Sequence, residues 1–234
     1  MTSRPVNSED PLMYLPRRPI EEHAKDSIIY DAERPPHSLY VLILGRVKVS
    51  NAADDGCETV GRIVRAEGIF GESCLVGTSN GNETATALDK IALMSWRREE
   101  IEQQVEREPR LGMALFQYLV GQCLELQDRI EDMAVHAVPD RVTLALLQLA
   151  MDLGTATPEG ATRVKSLTHH TIAEFVGTSR ELVTWQMNRL RRLGLIQYSR
   201  KHIDVYVPVM REHLKQQGIS MRRVEGIAQR VGGS

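Results

Sequence analysis

The hydrophobic residues between positions 27 and 96 follow the pattern of short β-strands. Residues 39–49 are rich in β-branched and aromatic side chains and end in an alternation of polar and apolar residues. Residues 53–56 (Ala-Asp-Asp-Gly) have the chemistry of a hairpin turn, and residues 59–64 fit the returning strand. Residues 91–96 fit another buried strand. Short strands with closely spaced turns predict a barrel-like or rolled antiparallel sheet.

A helical period replaces the strand pattern after Arg97 and predicts one long helix from about Arg110 to His136. Its apolar residues recur at alternating spacings of three and four, as in a seam that pairs two helices. The predicted dimer seam consists of Phe116, Leu119, Cys123, Leu126, Ile130 and Met133. A second stripe, which would cover the helix's own β domain, consists of Leu111, Leu115 and Tyr118. Two apolar faces favour a homodimer; the alternative is a helix buried within a single core.

The chain after the long helix contains proline and glycine boundaries. Pro139 restricts the residue before it and suits the start of a new helix, predicted over residues 141–153. Residues 155–160 are predicted to form a loop. Residues 208–234 are a basic tail with weak helical periodicity, which fits either an extra helix or a mobile end.

Two short helices joined by a tight turn are predicted between this loop and the basic tail. Thr168 is a favourable N-cap for a helix over residues 169–176, and Gly177 permits a tight turn at its end. A second helix is predicted over residues 180–192. Its inner face would carry Val183, Met187 and Leu190, and its outer face Glu181, Thr184, Trp185 and Asn188.

A hairpin is predicted directly after these helices. Residues 195–198 and 202–207 fit its two strands, and Ser199, Arg200 and Lys201 form a basic turn between them. Helix, turn, helix and two-stranded wing, in this order and with short links, indicate a DNA-binding module.

Composition restricts the class of protein. No run approaches the roughly 20 apolar residues that span a bilayer, and residues 1–11 lack the apolar run of a secretory signal. The three cysteines, Cys57, Cys74 and Cys123, are widely spaced without a CxxC pair, which argues against a disulfide framework or a structural zinc site. We therefore expect a cytoplasmic protein without a metal, a cofactor or a membrane partner.

The charge is distributed unevenly along the chain. Residues 1–136 carry 15 Lys and Arg against 23 Asp and Glu, whereas residues 137–234 carry 14 against 8. The C-terminal part is thus basic although the whole chain has a net charge of −2. This asymmetry favours a nucleic-acid-binding module joined to an acidic domain.

The segment Thr168–Val183 (THHTIAEFVGTSRELV) strongly resembles the helix-turn-helix of the CRP/FNR family (cyclic-AMP receptor protein/fumarate–nitrate reduction regulator) of bacterial transcription regulators. Phe70-Gly71-Glu72, the long helix and the wing resemble the same family, so the resemblance covers about residues 25–207. It implies an α+β protein with four parts: an antiparallel β-roll effector domain (1–109), a dimerisation helix (110–137), a winged helix-turn-helix domain (138–207) and a tail (208–234).

The resemblance implies base-reading roles on the second helix. Arg180 would pair with guanine O6 and N7, and Glu181 would accept from a cytosine amino group. The alternative for Glu181 is a capping box with Thr178. The family usually has a third arginine at the position of Trp185. This indole would contact a thymine methyl or a sugar, or else fold against Arg189 or the wing.

The other DNA contacts follow from the same resemblance. Thr184 is a further base-reading candidate. The candidates for backbone contacts are Ser179, Thr168, His169, His170, Lys201 and Arg200; ordinary solvated charge is the alternative for the basic residues. The expected DNA is a palindrome of TGTGA-like half-sites bound by a homodimer, with RNA polymerase as a further partner if the protein is an activator.

The effector pocket of the family is degenerate in this sequence. Gly71 and Glu72 are present, but residues 73–89 contain no Lys or Arg, and Glu83, followed by Thr84, lies near the place of the phosphate-binding arginine. A carboxylate would repel a cyclic phosphate. We therefore expect that cyclic AMP does not bind, and the sequence identifies no other effector.

Other functions remain as alternatives. The fold could be ligand-gated or redox-gated, with the two copies of Cys123 meeting in the dimer seam, although a small apolar side chain in that seam is the simpler interpretation. The protein could also be a cyclic-nucleotide-binding regulatory module that does not bind DNA. An enzyme is not indicated, because no nucleophile–base arrangement, HExxH motif or P-loop is present.

Overall fold

The computed structural model describes residues 9–52, 58–76, 82–165 and 167–219. The chain divides into two compact units, Met1–Leu124 and Glu125–Ser234. The hairpin turn predicted over residues 53–56, Cys57 and residues 220–234 of the tail lie outside the described residues. Within the described residues, no helix combines the length and the apolar character that crossing a membrane requires.

The N-terminal unit is rich in β-strands, as predicted. Its described strands are β1 (Glu21–His23), β2 (Ile28–Tyr30), β3 (Ser38–Leu44), β4 (Val47–Ala52), β5 (Glu58–Val64), β6 (Ile69–Phe70), β7 (Glu83–Ala87) and β8 (Ile91–Arg97). They form two antiparallel four-stranded sheets, in the orders β1-β8-β3-β6 and β2-β7-β4-β5. The α+β class and the rolled antiparallel sheet are thus confirmed, and β4 and β5 pair as the predicted hairpin.

The continuous strand pattern over residues 39–49 is broken into β3 and β4. Gly45 lies between them with φ of +88°. A Cβ there would approach the Lys90 carbonyl oxygen to 2.7 Å, so both the conformation and the close backbone approach require glycine. The apolar run alone does not show this break, because both sides of it fit a strand.

The core follows from the alternation of side chains along the strands. Leu42 packs with Tyr30 and Phe70 in an apolar cluster that includes side chains from both sheets. Leu39 and Val41 point to the opposite face and join a second cluster with α1 (Arg98–Arg107) and α2 (Pro109–Val135). The first of these helices was not predicted.

The long helix α2 begins and ends within one residue of its predicted bounds. Leu111, Leu115 and Tyr118 pack against the β-roll, which confirms the predicted second stripe. The seam residues, Phe116, Leu119, Cys123, Leu126, Ile130 and Met133, are all exposed, Phe116 to 63% and Ile130 to 67%. A helix buried on all sides within one core is therefore the wrong alternative.

The C-terminal unit contains the predicted helices and more strands than predicted. Its elements after α2 are α3 (Val138–Leu153), β9 (Thr155–Ala156), β10 (Thr162–Lys165), α4 (His169–Val176), α5 (Arg180–Arg192), β11 (Ile196–Tyr198), β12 (His202–Val205) and α6 (Val207–Gln216). The wing is part of a four-stranded sheet in the order β11-β12-β10-β9. The prediction of a loop over residues 155–160 is wrong at its start, where β9 pairs with β10.

Candidate nucleic-acid interface

Two side-chain caps and one glycine set the ends of the two helices in the helix-turn-helix. The Thr168 hydroxyl accepts from the Thr171 N–H at 3.0 Å and starts α4. Gly177 ends α4 with φ of +70°, a conformation that glycine adopts without strain. The Ser179 hydroxyl accepts from the Leu182 N–H at 3.3 Å and starts α5. The predicted bounds of both helices are confirmed.

The inner face of α5 fixes this helix in the domain. Val183, Met187 and Leu190 are completely buried, as predicted. The buried side-chain amide of Gln186 donates to the Thr143 hydroxyl on α3 at 3.0 Å. Because α5 is anchored by both apolar packing and this buried hydrogen bond, its opposite face is presented to solvent in a fixed orientation.

The first turn of α5 presents Arg180 and Glu181, both exposed. Glu181 does not form the alternative capping box with Thr178, because Ser179 is the N-cap and Leu182 is the third helical residue. The proximity of its own backbone N–H and of the Ser179 hydroxyl lowers the pKa of the Glu181 carboxyl. Glu181 is therefore ionised at neutral pH and can act only as an acceptor.

Trp185 lies one turn further along the same side of α5. Its side chain is 50% exposed, and the Arg189 guanidinium lies 5.8 Å from the centre of the indole ring. The indole thus packs against Arg189 and still leaves half of its surface open. The spacing of four residues on one helix is the sequence signal for this pair.

Thr184 and His169 contact each other between α5 and α4. The Thr184 hydroxyl donates to the Arg180 carbonyl at 2.8 Å and lies 2.8 Å from Nδ1 of His169. The His169 ring also meets the Tyr198 ring edge-on, with ring centres 5.7 Å apart. Burial, followed by the nearby charge of Arg180, lowers the pKa of His169 below its ordinary value of 6.5, so this imidazole is neutral at pH 7.

A cleft of about 340 Å³ separates the start of α4 from the wing. It brings together three of the predicted backbone-contacting residues, Thr168, His169 and Arg200. Arg200 and Lys201 are exposed at the turn between β11 and β12, as expected for a basic wing tip. His170 is exposed beside the cleft residues, with Nε2 3.0 Å from the carboxylate of Glu174.

The wing is tied to α5 by side chains that the sequence did not single out for this role. The Tyr198 hydroxyl donates to the side-chain oxygen of Asn188 at 3.0 Å. The Arg191 guanidinium lies 5.3 Å from the centre of the Tyr198 ring. Asn188, which helical spacing places on the outer face, therefore joins α5 to the wing.

The C-terminal end of α2 is attached to the helix-turn-helix by Arg129. Its guanidinium lies 4.7 Å from the centre of the Phe175 ring and also donates to the Phe175 carbonyl. That carbonyl belongs to the last turn of α4, where a cation interacts favourably with the helix dipole. Both residues belong to the C-terminal unit, so this end of α2 and the recognition module form one body.

Comparisons with known proteins identify both parts of the chain. A model described as the cyclic nucleotide-binding domain matches residues 20–108, and a model of the Crp-like helix-turn-helix domain matches residues 140–208. A global nitrogen regulator from a Nostoc species is 30% identical over 193 residues, which cover 81% of this chain and 86% of that protein. This chain belongs to the CRP/FNR family of transcription regulators.

Other family members are similar over most of their length. A CRP-like cAMP-activated global transcriptional regulator of Mycobacterium tuberculosis is 29% identical over 75% of this chain and 78% of that protein. A CRP-family regulator structure from Thermus thermophilus has a TM-score of 0.71 at 22% identity, covering 87% of this chain and 99% of that chain, and shows the same fold. The predicted resemblance is confirmed, and the family consists of transcription regulators rather than enzymes.

The pocket residues predicted from the resemblance lie in the part of the chain that matches the cyclic nucleotide-binding domain. The carboxylate of Glu72, directly after Gly71, pairs with the Arg62 guanidinium. Glu83 accepts a hydrogen bond from the Tyr30 hydroxyl at 2.6 Å; burial, followed by the charge of Glu83, raises the pKa of Tyr30. Both carboxylates of the pocket thus have partners within the protein.

The remaining pocket candidate, Thr84, belongs to β7. It pairs in register with Ser50 of β4, and its carbonyl oxygen lies 3.5 Å from the Ser50 hydroxyl. Thr84 is therefore part of the sheet that supports Glu83. Arg62, which sequence reasoning missed, lies on β5, ten residues before its partner Glu72.

Proposed function

We propose that this regulator binds a palindromic DNA site as a homodimer and that cyclic AMP is not its trigger. The observation that carries the proposal is the recognition helix α5, whose inner face is fully buried while Arg180, Glu181 and Trp185 stand exposed on the other side. An α-helix that is fixed in its domain and exposes such side chains fits the major groove of B-DNA.

The exposed residues define a half-site related to TGTGA. Arg180 pairs bidentately with guanine, and the ionised Glu181 accepts from a cytosine amino group. Trp185 cannot make the contact of the arginine that usually stands at its position, and its open indole surface contacts a thymine methyl or a sugar. Thr184 contributes less, because its hydroxyl is already bonded to Arg180 and His169. We therefore expect weaker selection at one base pair of the half-site.

Residues around the cleft contact the DNA backbone. Ser179 at the start of α5, with Arg200 and Lys201 on the wing, supplies the main contacts. Thr168 and His169 lie in the same cleft as Arg200, and His170 lies on the first turn of α4. Such contacts position the protein and make its affinity salt-dependent. Neutral His169 has one ring N–H, which Nδ1 donates to the Thr184 hydroxyl, so its Nε2 is an acceptor and reaches a phosphate only through a bridging water.

The homodimer forms through the exposed stripe of α2. The six seam residues expose apolar surface along one side of a 27-residue helix, and a second copy of the same stripe is the partner with matching repeat. Two recognition helices related by a twofold axis then match a palindrome. We assign residues 1–109, 110–137 and 138–207 to effector domain, dimerisation helix and DNA-binding domain, with the tail beyond them.

The effector domain supports independence from cyclic AMP. A cyclic phosphate would meet the Glu83 carboxylate, and the Glu72 carboxylate is already paired with Arg62. The names of the relatives point to different signals, nitrogen regulation in one and cyclic AMP in another, so membership of the family does not fix the effector. The protein acts in the cytoplasm, where it reaches the chromosome, and contacts RNA polymerase if it is an activator.

Selection of binding sites from a random duplex library tests this function. Purified protein without added ligand should enrich two inverted TGTGA-related half-sites whose centres lie about one helical turn apart. Recovery of an unrelated half-site would reject the assigned base contacts. Failure to enrich any sequence, with and without cyclic AMP, would favour a regulatory module that does not bind DNA.

A further inference from the structure

Arg62 reaches from strand β5 of the β-roll to the long helix α2. One terminal nitrogen, Nη2, pairs with the carboxylate of Glu72. The other, Nη1, donates to Oε1 of Gln122 at 3.1 Å and lies 3.4 Å from the Tyr118 hydroxyl. That hydroxyl donates to the Ile69 carbonyl at 2.9 Å. A single guanidinium therefore connects the Gly-Glu segment of the pocket to two successive turns of α2.

These contacts continue the buried face of α2 by different chemistry. Leu111 and Leu115 pack in the apolar cluster on the β-roll, and Tyr118 and Gln122 follow them at intervals of three and four residues. The attachment of the helix thus changes from apolar packing to hydrogen bonds. Arg62 supplies two of these bonds and is the cation on which they converge.

The environment of the guanidinium makes the bridge strong. The side chains of Arg62 and Glu72 are only 25% and 16% exposed. Charge-assisted hydrogen bonds gain strength where water is largely excluded. Burial acts to lower the pKa of Arg62, but the Glu72 carboxylate together with Tyr118 and Tyr30 outweighs it and raises the pKa, so the guanidinium remains charged.

We propose that Arg62 is a built-in effector, a positioning residue that holds α2 on the β-roll in the absence of any ligand. Its guanidinium makes the connection between the pocket and the helix from within the chain. The exposed stripe of α2 is thereby kept in the orientation that pairs with a second copy, and both recognition helices can engage a palindrome. This inference rests on the proposed function and specifies how its site is regulated.

The test compares four variants of the full-length protein. R62A removes the bridge, R62K keeps the charge but not the forked geometry, and Q122A removes the nearer of the two acceptors on α2 while leaving the β-roll unchanged. R65A is the matched control, because Arg65 is exposed just after β5. Two quantities are measured: hydrogen exchange of the backbone amides of residues 113–124, and affinity for the selected palindrome and for scrambled DNA by fluorescence anisotropy.

We expect R62A and Q122A to accelerate exchange in residues 113–124 and to weaken palindrome binding, by about tenfold for R62A. Binding to scrambled DNA should not change, since Arg62 does not contact DNA, whereas a general loss of structure would alter both. R62K should lose less palindrome affinity than R62A, and R65A should match the wild type. If R62A does not fold, Q122A decides the matter by the same two measurements.

Unchanged exchange in residues 113–124, or unchanged palindrome affinity in a folded R62A or Q122A variant, would overturn the inference. These outcomes differ from failure of the proposed function. If the proposed function failed, the wild type itself would not distinguish the palindrome from scrambled DNA. The exchange measurement would still show whether Arg62 holds α2.

Discussion

At the scale of single residues, the chemistry of the recognition helix depends on which side chains are already engaged within the protein. Thr184 and Asn188 share the outer face with Glu181 by helical spacing, but both have partners in α4, α5 or the wing. Glu181 and Trp185 retain exposed surface, the former as an ionised acceptor and the latter as a half-open indole. We therefore predict that base reading rests on the exposed side chains of this face rather than on Thr184 and Asn188.

The variant E181Q tests the role of Glu181 in base reading. The amide replaces one carboxylate oxygen by a donor, so discrimination for cytosine at one base pair should fall by about 1–3 kcal/mol, with a smaller change in affinity for scrambled DNA. Competition with duplexes substituted at single positions measures this. E212Q, an exposed change on α6, is the control. Equal weakening on every duplex would show that Glu181 has no base-specific role.

The imidazole of His169 should titrate below its ordinary pKa of 6.5. Burial is the larger cause and the charge of Arg180 the smaller, so R180A should raise the midpoint without restoring it fully. Proton NMR of the His169 ring measures the titration midpoint in the wild type and in R180A. R192A is the control for the loss of one exposed arginine from α5. A midpoint at or above 6.5 in the wild type would contradict the packing described for His169.

At the scale of elements, the four-stranded sheet around the wing is held by a pair of side chains that face each other across β10 and β12. Arg163 and Asp204 are in register, and their side chains make two bonds of 2.7 and 2.8 Å. Asp204 is largely buried, whereas Arg163 is partly open to solvent. The pair therefore connects the strand that forms the wing to a strand outside the helix-turn-helix.

This pair should make the stability of the C-terminal unit depend on pH. Hydrogen bonding from Arg163 lowers the pKa of Asp204 below its ordinary value of 3.8, so its contribution is present above that value and is lost as the pH falls below it. R163M should lower the free energy of unfolding by about 1 kcal/mol at pH 7 and reduce this acid dependence. Urea unfolding between pH 7 and pH 3 measures the free energy of unfolding and its pH dependence, with R200M as control. An equal acid dependence in R163M and wild type would refute the assignment.

The elements that sequence reasoning predicted well are those with local determinants. Thr168, Gly177 and Ser179 specify the ends of α4 and α5 by capping and turn geometry alone. The short strand β9 was missed because its two residues pair with β10 and carry little pattern of their own. The Arg62 bridge was missed because its partners on α2 lie 56 and 60 residues away, and only the fold brings them together.

At the scale of the whole molecule, the chain joins an acidic N-terminal part, which matches the cyclic nucleotide-binding domain, to a basic C-terminal part, which matches the Crp-like helix-turn-helix domain. The long helix α2 belongs to both units, since its boundary lies after Leu124. Its first turns pack on the β-roll, and its last turns are bonded to α4 through Arg129. Each unit thus makes its own contacts with α2, the helix that also carries the exposed stripe.

Introduction of a charge into that seam should separate the dimer. Phe116 is 63% exposed, so F116E leaves each fold intact but places two carboxylates against an apolar stripe. Sedimentation equilibrium should show a monomer, and affinity for the full palindrome should fall toward that for one half-site. L44E, at an exposed apolar residue of β3, is the matched control. A stable F116E dimer would place the interface elsewhere.

The most direct test of the account is a titration of the wild-type protein against a fluorescent duplex that carries the selected palindrome, first without ligand and then with cyclic AMP. Fluorescence anisotropy should show tight binding that scrambled DNA does not compete for, equal in the two conditions. Binding that appears only with cyclic AMP would contradict the interpretation of Arg62, Glu72 and Glu83. Equal affinity for palindrome and scrambled DNA in both conditions would contradict the assignment of α5 as a sequence-reading helix.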